Sequence, residues 1–375
     1  MQINQTIRIL HLVGDREDAG GVLSVLRNLD SVSDANTCEH LVWVNRAYRE
    51  TRQPSLTYRF SDSVLAESSR HFDLLKQAFP ASRELIQLCQ EETFDIVHAH
   101  SRGTLLVAIL YAWKTGRPVI YTNHNYARGP RLYRWAARRP KMYSVVLTQN
   151  MARHYGLDPK ASRVRQISAC YNDAYLSEPL IERRSSNGRR LKLIGVGSVI
   201  GWKKWDLVIE AIHRLDSKHQ QAIEFDIWGP TLQFPEAIAF AERIKKMIRD
   251  YQLEETVHLR GSTTDVVSEL RKSDLFVLPS TNEPCSVALM EALALGLPVV
   301  VSESGGNVDI VQSGCGLKFA PDNPNALAKV LTQVIENKVA FAQPGEIRDS
   351  VKHRCATNVL ALYTELYQDI MAEHS

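Results

Sequence analysis

The sequence has no run of about eighteen apolar residues, so no segment reads as a helix able to cross a bilayer. Its start, Met1-Gln-Ile-Asn-Gln-Thr-Ile-Arg-Ile9, has no basic stretch followed by an apolar core and a small-residue cleavage site, which argues against a signal peptide. The six cysteines (38, 89, 170, 285, 315 and 355) form no CxxC pair and no cluster. That excludes a disulfide scaffold and a zinc-finger-like site, and it points to a reducing, cytoplasmic compartment. The histidines show no metal-ligand spacing, no GxGxxG is present, and neither an internal repeat nor a low-complexity tract stands out. No residue is an obvious covalent nucleophile.

What the chain does have is 375 residues, 44% of them apolar, enough for two ordinary domains with proper cores. Buried-strand runs alternate with amphipathic helices. Residues 7–13 and 41–44 read as strands, with a helix at 22–29 between them. Residues 47–80 are less regular. A helix at 84–89, strands at 95–98, 119–122 and 144–147, and a helix at 105–113 complete a parallel, doubly wound α/β unit. The polar stretch Ser177–Arg190 reads as a linker. A second series then runs from a strand at 192–196 through helices at 205–215, 236–251 and 264–271. The expected domains are 1–176 and 177–355, with a helix from 356 crossing back to the first.

The richest local signal is Glu283-Pro-Cys-Ser-Val-Ala-Leu-Met-Glu291. A strand-like run, 275–278, precedes it, and helix-stop signals at Gly296-Leu-Pro298 follow. Ligands of open α/β sheets bind beyond the carboxyl ends of strands. A helix starting after Pro284 aims backbone N–H groups of Ser286 and Val287 outward, where a phosphate is favoured. Glu291, two turns along, can accept both hydroxyl protons of a ribose diol. Gly20-Gly21 also sits between a strand and a helix, where a bare backbone can approach a ligand. An ordinary surface helix and a plain loop are the competing readings of these two segments.

Charge is uneven: 23 basic against 18 acidic residues through position 182, on a chain with net charge +3. The excess concentrates in Arg128, Arg131, Arg134, Arg138, Arg139 and Lys141, interleaved with Leu132, Tyr133, Trp135 and Ala136. A helix there carries a basic face beside an aromatic edge, which fits a peripheral contact at the inner face of an anionic membrane. A solvated helix, with arginine stems lying on the domain, accounts for the same pattern. Nucleic acid is not expected, because no recognised motif accompanies the patch.

The string Ser273-Asp-Leu-Phe-Val-Leu-Pro-Ser280, the segment Glu283–Val299, Gly305-Gly306 and Asp309-Ile-Val311 together resemble glycosyltransferase family 4. These are retaining, nucleotide-sugar-dependent enzymes of the GT-B fold: two Rossmann-like domains facing across a cleft. The resemblance is strongest from about Leu191 to Leu331. It implies that Glu283 holds hydroxyls of the transferred sugar and that Glu291 binds the ribose. The diphosphate falls to Ser286 and Val287 N–H, Lys203 and Gly20-Gly21, and His124 lines the sugar site. Gly229, at a later strand end, is placed near the nucleobase, although turn chemistry alone explains a glycine there. Catalytic roles fall to His124, Glu283 and Lys203. The implied donor is a nucleoside-diphosphate sugar, with UDP favoured, and no metal or other cofactor is expected. The implied acceptor is a glycan or lipid-linked hydroxyl, in envelope polysaccharide or glycolipid synthesis.

Two departures stand out. The family has arginine where this chain has Ser198, so a bidentate phosphate clamp becomes a neutral hydroxyl. Lys204 or another base is expected to compensate. Family members also often read Pro-Asn-Gly where Ser168–Asn172 stands. Alternative readings are a catalytically idle nucleotide-sugar-binding member, a sugar-nucleotide epimerase of the same fold, and a glycosyl phosphorylase.

Overall fold

The computed structural model describes residues 6–18, 20–34, 37–53, 55–67, 71–183 and 188–374. The chain forms two compact units: Met1–Asp173 with Arg354–Ser375, and Ala174–His353.

The first unit is built on seven parallel strands, β1 (Ile7–Leu12), β2 (Cys38–Asn45), β3 (Thr57–Ser61), β4 (Ile96–Ala99), β5 (Val119–Asn123), β6 (Met142–Val146) and β7 (Val164–Gln166), in the order β3-β2-β1-β4-β5-β6-β7. Helices cover both faces, so the central strands are buried almost throughout and read as continuous apolar runs. The helix Ala356–His374 belongs to this unit: Tyr367 Oη lies 3.2 Å from His98 Nδ1, and Tyr143 donates to Glu373 Oε2 at 2.7 Å.

The second unit holds β8 (Leu191–Val196), β9 (Ile223–Trp228), β10 (Val257–Gly261), β11 (Leu275–Leu278), β12 (Val299–Ser302) and β13 (Gly316–Phe319), all parallel, in the order β10-β9-β8-β11-β12-β13. Trp205, Phe225 and Ile244 are among the buried side chains at its centre.

Several elements differ from the sequence-based expectation. The stretch 47–80 contains β3 and the start of a helix, His71–Glu91, which runs through Pro80. The described part of the expected linker packs within the second unit: Ile181 N–H donates to Leu295 O at 2.9 Å, and Arg183 donates to Phe341 O at 2.9 Å. Residues 184–187 of that stretch lie outside the described residues. In the basic segment only Arg131–Ala137 is helical, and Tyr133 and Ala136 are buried. Arg128, Arg131, Arg138 and Arg139 are exposed, with the Arg139 guanidinium stacked 4.4 Å from the exposed Trp135 ring. Arg134 and Lys141 are half-buried, and Lys141 Nζ lies 2.8 Å from His374 Nδ1.

Each sheet has a switch point where strand order reverses, between β1 and β4 and between β8 and β11. The loops that leave those strands diverge to opposite faces and open a crevice. In the second unit they are 197–204 and 279–286, the two segments that carry Lys203 and Glu283.

Candidate functional site

Glu283 is positioned from behind. Its carbonyl accepts from Gly306 N–H at 2.7 Å, and the preceding Asn282 N–H donates to Ser304 Oγ at 3.0 Å. Gly305, at φ +59°, lies so close that an added Cβ would stand 2.5 Å from Glu283 O and 2.8 Å from its N. Only glycine combines that φ with that approach. The loop is also tied to β12, where Ser302 Oγ donates to Ser280 O.

The Glu283 carboxylate is nearly out of solvent and bonds Lys203 Nζ at 2.8 Å. Lys203 ends a single 3₁₀ turn, Gly201–Lys203, and its ammonium sits 4.3 Å from the Trp202 ring centroid. A buried pair of this kind needs good geometry and extra partners to offset desolvation, and the indole face supplies one.

The helix Val287–Ala294 begins at this point. Ser286 is its N-cap, with Oγ accepting from Leu289 N–H at 3.2 Å. The positive end of the helix therefore opens at Ser286–Val287. Glu291 is the one charged residue in VALMEALA and lies one turn beyond Val287 on the same face. Tyr175 hydrogen-bonds its carboxyl, but burial dominates and pushes it up to about 7. Tyr175 comes from the short helix Ala174–Ser177, which the sequence reading treated as part of a domain boundary.

The side chain expected to compensate for the missing arginine meets another partner here: Lys204 Nζ pairs with Asp322 Oδ1 at 2.9 Å. Ser198 lies beside the site, yet its recorded bonds are through its backbone carbonyl, which accepts from Trp205 Nε1 at 3.1 Å. Gly229 lets the loops after β8 and β9 touch, since a Cβ there would fall 2.1 Å from Gly197 O. Arg260, at the end of β10, bonds Asp226 Oδ1 at 2.6 Å and Glu224 Oε1 at 3.3 Å. Glu224, Asp226 and His258 have metal-ligand spacing, but the guanidinium already supplies the cation there.

Gly20, Gly21 and His124 belong to the first unit. Gly20 is the N-cap of the helix Gly21–Val32 at φ +91°, and nothing lies within 4 Å of a Cβ at either glycine. The loop before them is anchored by the Asp18 carboxylate. It accepts from Arg27 Nη1 at 3.0 Å, Arg52 Nη2 at 2.8 Å and Thr51 N–H at 2.9 Å. Burial opposes its charge, but these donors outweigh burial and hold the carboxyl well below the usual range. Asp15, in the same loop, is pushed up to about 7 by burial first and then by Glu67 and Asp18. Asp18 is three residues away, but Glu67 is distant in sequence and the burial comes from the fold, so the sequence alone does not reveal it. His124 follows β5, half-buried, with Nε2 3.1 Å from His100 Nδ1, and burial lowers it to about 4.

Residues 178–353 match the family described as glycosyl transferases group 1, and residues 19–168 match glycosyltransferase family 4. Over 330 residues the chain is 25% identical to a UDP-Gal:alpha-D-GlcNAc-diphosphoundecaprenol alpha-1,3-galactosyltransferase of Escherichia coli, covering 79% of this chain and 81% of that one. It is 24% identical to the lipopolysaccharide core biosynthesis mannosyltransferase LpcC of Rhizobium leguminosarum bv. viciae, covering 72% and 78%. In fold it is similar to Anabaena HepE in complex with UDP, with a TM-score of 0.75, 17% identity, and 97% and 100% coverage. It is likewise similar to the sucrose-phosphate synthase of Thermosynechococcus elongatus, with a TM-score of 0.79, 16% identity, and 98% and 100% coverage.

Proposed function

We propose, from the premise that this chain belongs to the family 4 glycosyltransferases of GT-B fold, that it moves a sugar from UDP to an acceptor hydroxyl with retention at the anomeric carbon. The observation that carries the reading is the Lys203–Glu283 contact at the N-terminus of a helix that also bears Glu291. One ammonium reaches both the leaving diphosphate and the carboxylate that orients the sugar. As the glycosidic bond breaks, charge builds on the leaving phosphate, and a fixed ammonium with helix N–H groups stabilises that charge more than the ground state. Glu283 orients the sugar hydroxyls and Glu291 accepts the ribose diol. In the second unit Ser198 and Gly229 are assigned to the donor; in the first, Gly20, Gly21 and His124 keep the donor and sugar roles that the family resemblance gives them. In front-face transfer the leaving phosphate oxygen takes the acceptor proton, so no protein nucleophile is required.

The acceptor we infer is a lipid-linked or glycan hydroxyl of the cell envelope. The Escherichia coli relative is named for a diphosphoundecaprenol acceptor. No helix among the described residues is long and apolar enough to cross a membrane. Exposed Arg128, Arg131, Arg138 and Arg139 beside Trp135 offer an anionic bilayer a peripheral contact. A second reading, a member that binds donor without turnover, is favoured by Ser198 and by the engagement of Lys204 with Asp322.

The first test is thermal stabilisation by UDP-, GDP-, ADP- and dTDP-sugars, on wild type and Glu291→Ala. A shift of several degrees with uridine donors, lost in the variant, supports the donor assignment. No shift with any of them overturns it. A shift without release of UDP in the presence of a lipid-linked acceptor favours the idle reading.

A further inference from the structure

Five histidines of the first unit gather on one face of its sheet. In the parallel register Ile9 stands opposite His40 and His11 opposite His98. Side chains two residues apart share a face, so His40, His11 and His98 line up across β2, β1 and β4. His100 and His124 follow the ends of β4 and β5.

Four of these rings form a directional chain. His124 Nε2 lies 3.1 Å from His100 Nδ1, and His100 Nε2 lies 2.9 Å from His11 Nδ1. His11 Nε2 lies 2.9 Å from His40 Nδ1, and His40 Nε2 lies 2.9 Å from Ser33 Oγ. Each inner ring is entered at Nδ1 and left at Nε2. The far end is polarised: Ser33 Oγ donates its own proton to Leu29 O at 2.9 Å. A carbonyl only accepts, so the Ser33 oxygen receives from His40 Nε2–H. His40 Nδ1 is then bare and receives from His11 Nε2–H. The same logic passes through His100 to His124, which must carry its proton on Nε2 and present a lone pair at Nδ1.

The counting requires one proton per ring. Burial holds His11 and His100 well below the usual imidazole range and lowers His40 and His124 to about 4, so the rings are neutral at pH 7.

We propose that His100, His11 and His40, oriented by Ser33, are positioning residues that hold His124 in the Nε2–H tautomer, so that it meets a hydroxyl donor on the transferred sugar through Nδ1. This rests on the reading of His124 as lining the sugar. A metal site is the rival use of the same rings, since ligand nitrogens of His11, His98 and His100 lie within 4.8 Å of one another. Every one of those nitrogens is already engaged: His98 meets Thr122 Oγ1 at 2.7 Å and Tyr367 Oη at 3.2 Å. A metal ion would have to break at least two of these bonds.

The test is ¹⁵N-imidazole NMR of the full chain at pH 7.5, with His124 assigned by its loss in His124→Asn. Wild type should show His124, His100, His11 and His40 all as Nε2–H. Ser33→Ala, four links from His124 and facing an open cavity of about 700 Å³ where water can replace the hydroxyl, should turn His124 into a mixture of tautomers. His11→Leu cuts the chain midway and should do the same; if it does not fold, Ser33→Ala alone decides. A Nδ1–H form of His124 in wild type, or no change in Ser33→Ala, overturns the proposal. So does stoichiometric binding of Zn²⁺ alone with loss of these N–H signals. With the tautomer confirmed, affinity for a UDP-sugar relative to UDP should fall about fivefold in Ser33→Ala, as for one weakened hydrogen bond. An unchanged ratio would remove His124 from the sugar site and leave the chain of rings standing.

Discussion

Lys203 Nζ and Glu283 Oε2 lie 2.8 Å apart, each side chain about nine-tenths buried. Each buried charge therefore depends on the other before any donor arrives. Lys203→Met leaves a carboxylate buried without its cation and should destabilise the second unit by about 3 kcal/mol. Lys203→Met with Glu283→Leu should regain most of that loss, read as a denaturation midpoint. Glu283→Gln should keep the fold and bind UDP normally, yet lose a hundredfold or more in kcat. Loss of UDP binding in Glu283→Gln would place that carboxylate at the nucleotide.

Glu291 titrates near neutrality, with its carboxyl raised to about 7 by burial. The folded protein holds this proton more tightly than the unfolded chain does. The stabilising contribution is thus full below about pH 4.5 and is lost as pH rises through 7. Nucleotide binding needs the carboxylate, so UDP affinity should rise across the same window. Calorimetric titrations from pH 5.5 to 8.5 should show that rise in wild type and a weak, flat profile in Glu291→Gln.

The glycines divide by geometry. Gly305→Ala and Gly229→Ala each drive a Cβ into backbone, 2.5 Å from Glu283 O and 2.1 Å from Gly197 O. Each should cost about 2 kcal/mol or more, and Gly305→Ala should also displace Glu283 and depress kcat. Gly21→Ala sits at the first helical position with open space beside it and should leave the melting temperature within a degree or two.

The buried imidazoles make the first unit acid-sensitive. His40 and His124 are lowered to about 4 and His11, His98 and His100 lie well below their usual value, in each case chiefly through burial. Unfolded histidines take up protons near 6.5, so stability should fall as pH drops from 6.5 toward 4. Hydrogen exchange should show β1, β2 and β4 losing protection in that window, before the strands of the second unit.

The basic segment is tested by Arg131→Glu, Arg138→Glu and Arg139→Glu together. Vesicles containing anionic lipid should retain wild type and lose the triple variant, whereas neutral vesicles should retain neither. The thermal shift with UDP should be unchanged, which separates surface charge from the donor site.

Much of the second unit was legible because its signals are local. Glu283, Ser286 and Glu291 lie within nine residues, and a loop-to-helix junction fixes their mutual geometry. Lys203 was placed by resemblance, and its contact with Glu283 follows from β8 and β11 being neighbours, which no local pattern records. The first unit hid more. Pro80 argues for a break, yet the helix His71–Glu91 continues through it, so the local breaker signal is overridden. The imidazole chain joins His124, singled out by resemblance, to residues 11, 40 and 100, whose link to it no local pattern records. Tyr175 gains its character from burial and the distant Glu291, and Asp15 from burial and the distant Glu67 together with the nearby Asp18.

The helix Ala356–His374 closes over His98 and Thr122, with Tyr367 and Tyr363 Oη 3.2 and 3.3 Å from them. Residues 356–374 are translated after the whole second unit. The sheet that emerges first from the ribosome is therefore the last to be completed. Until then it carries an open apolar flank, so completion of the first-made sheet waits for the last-made residues, against the usual N-to-C order of domain folding.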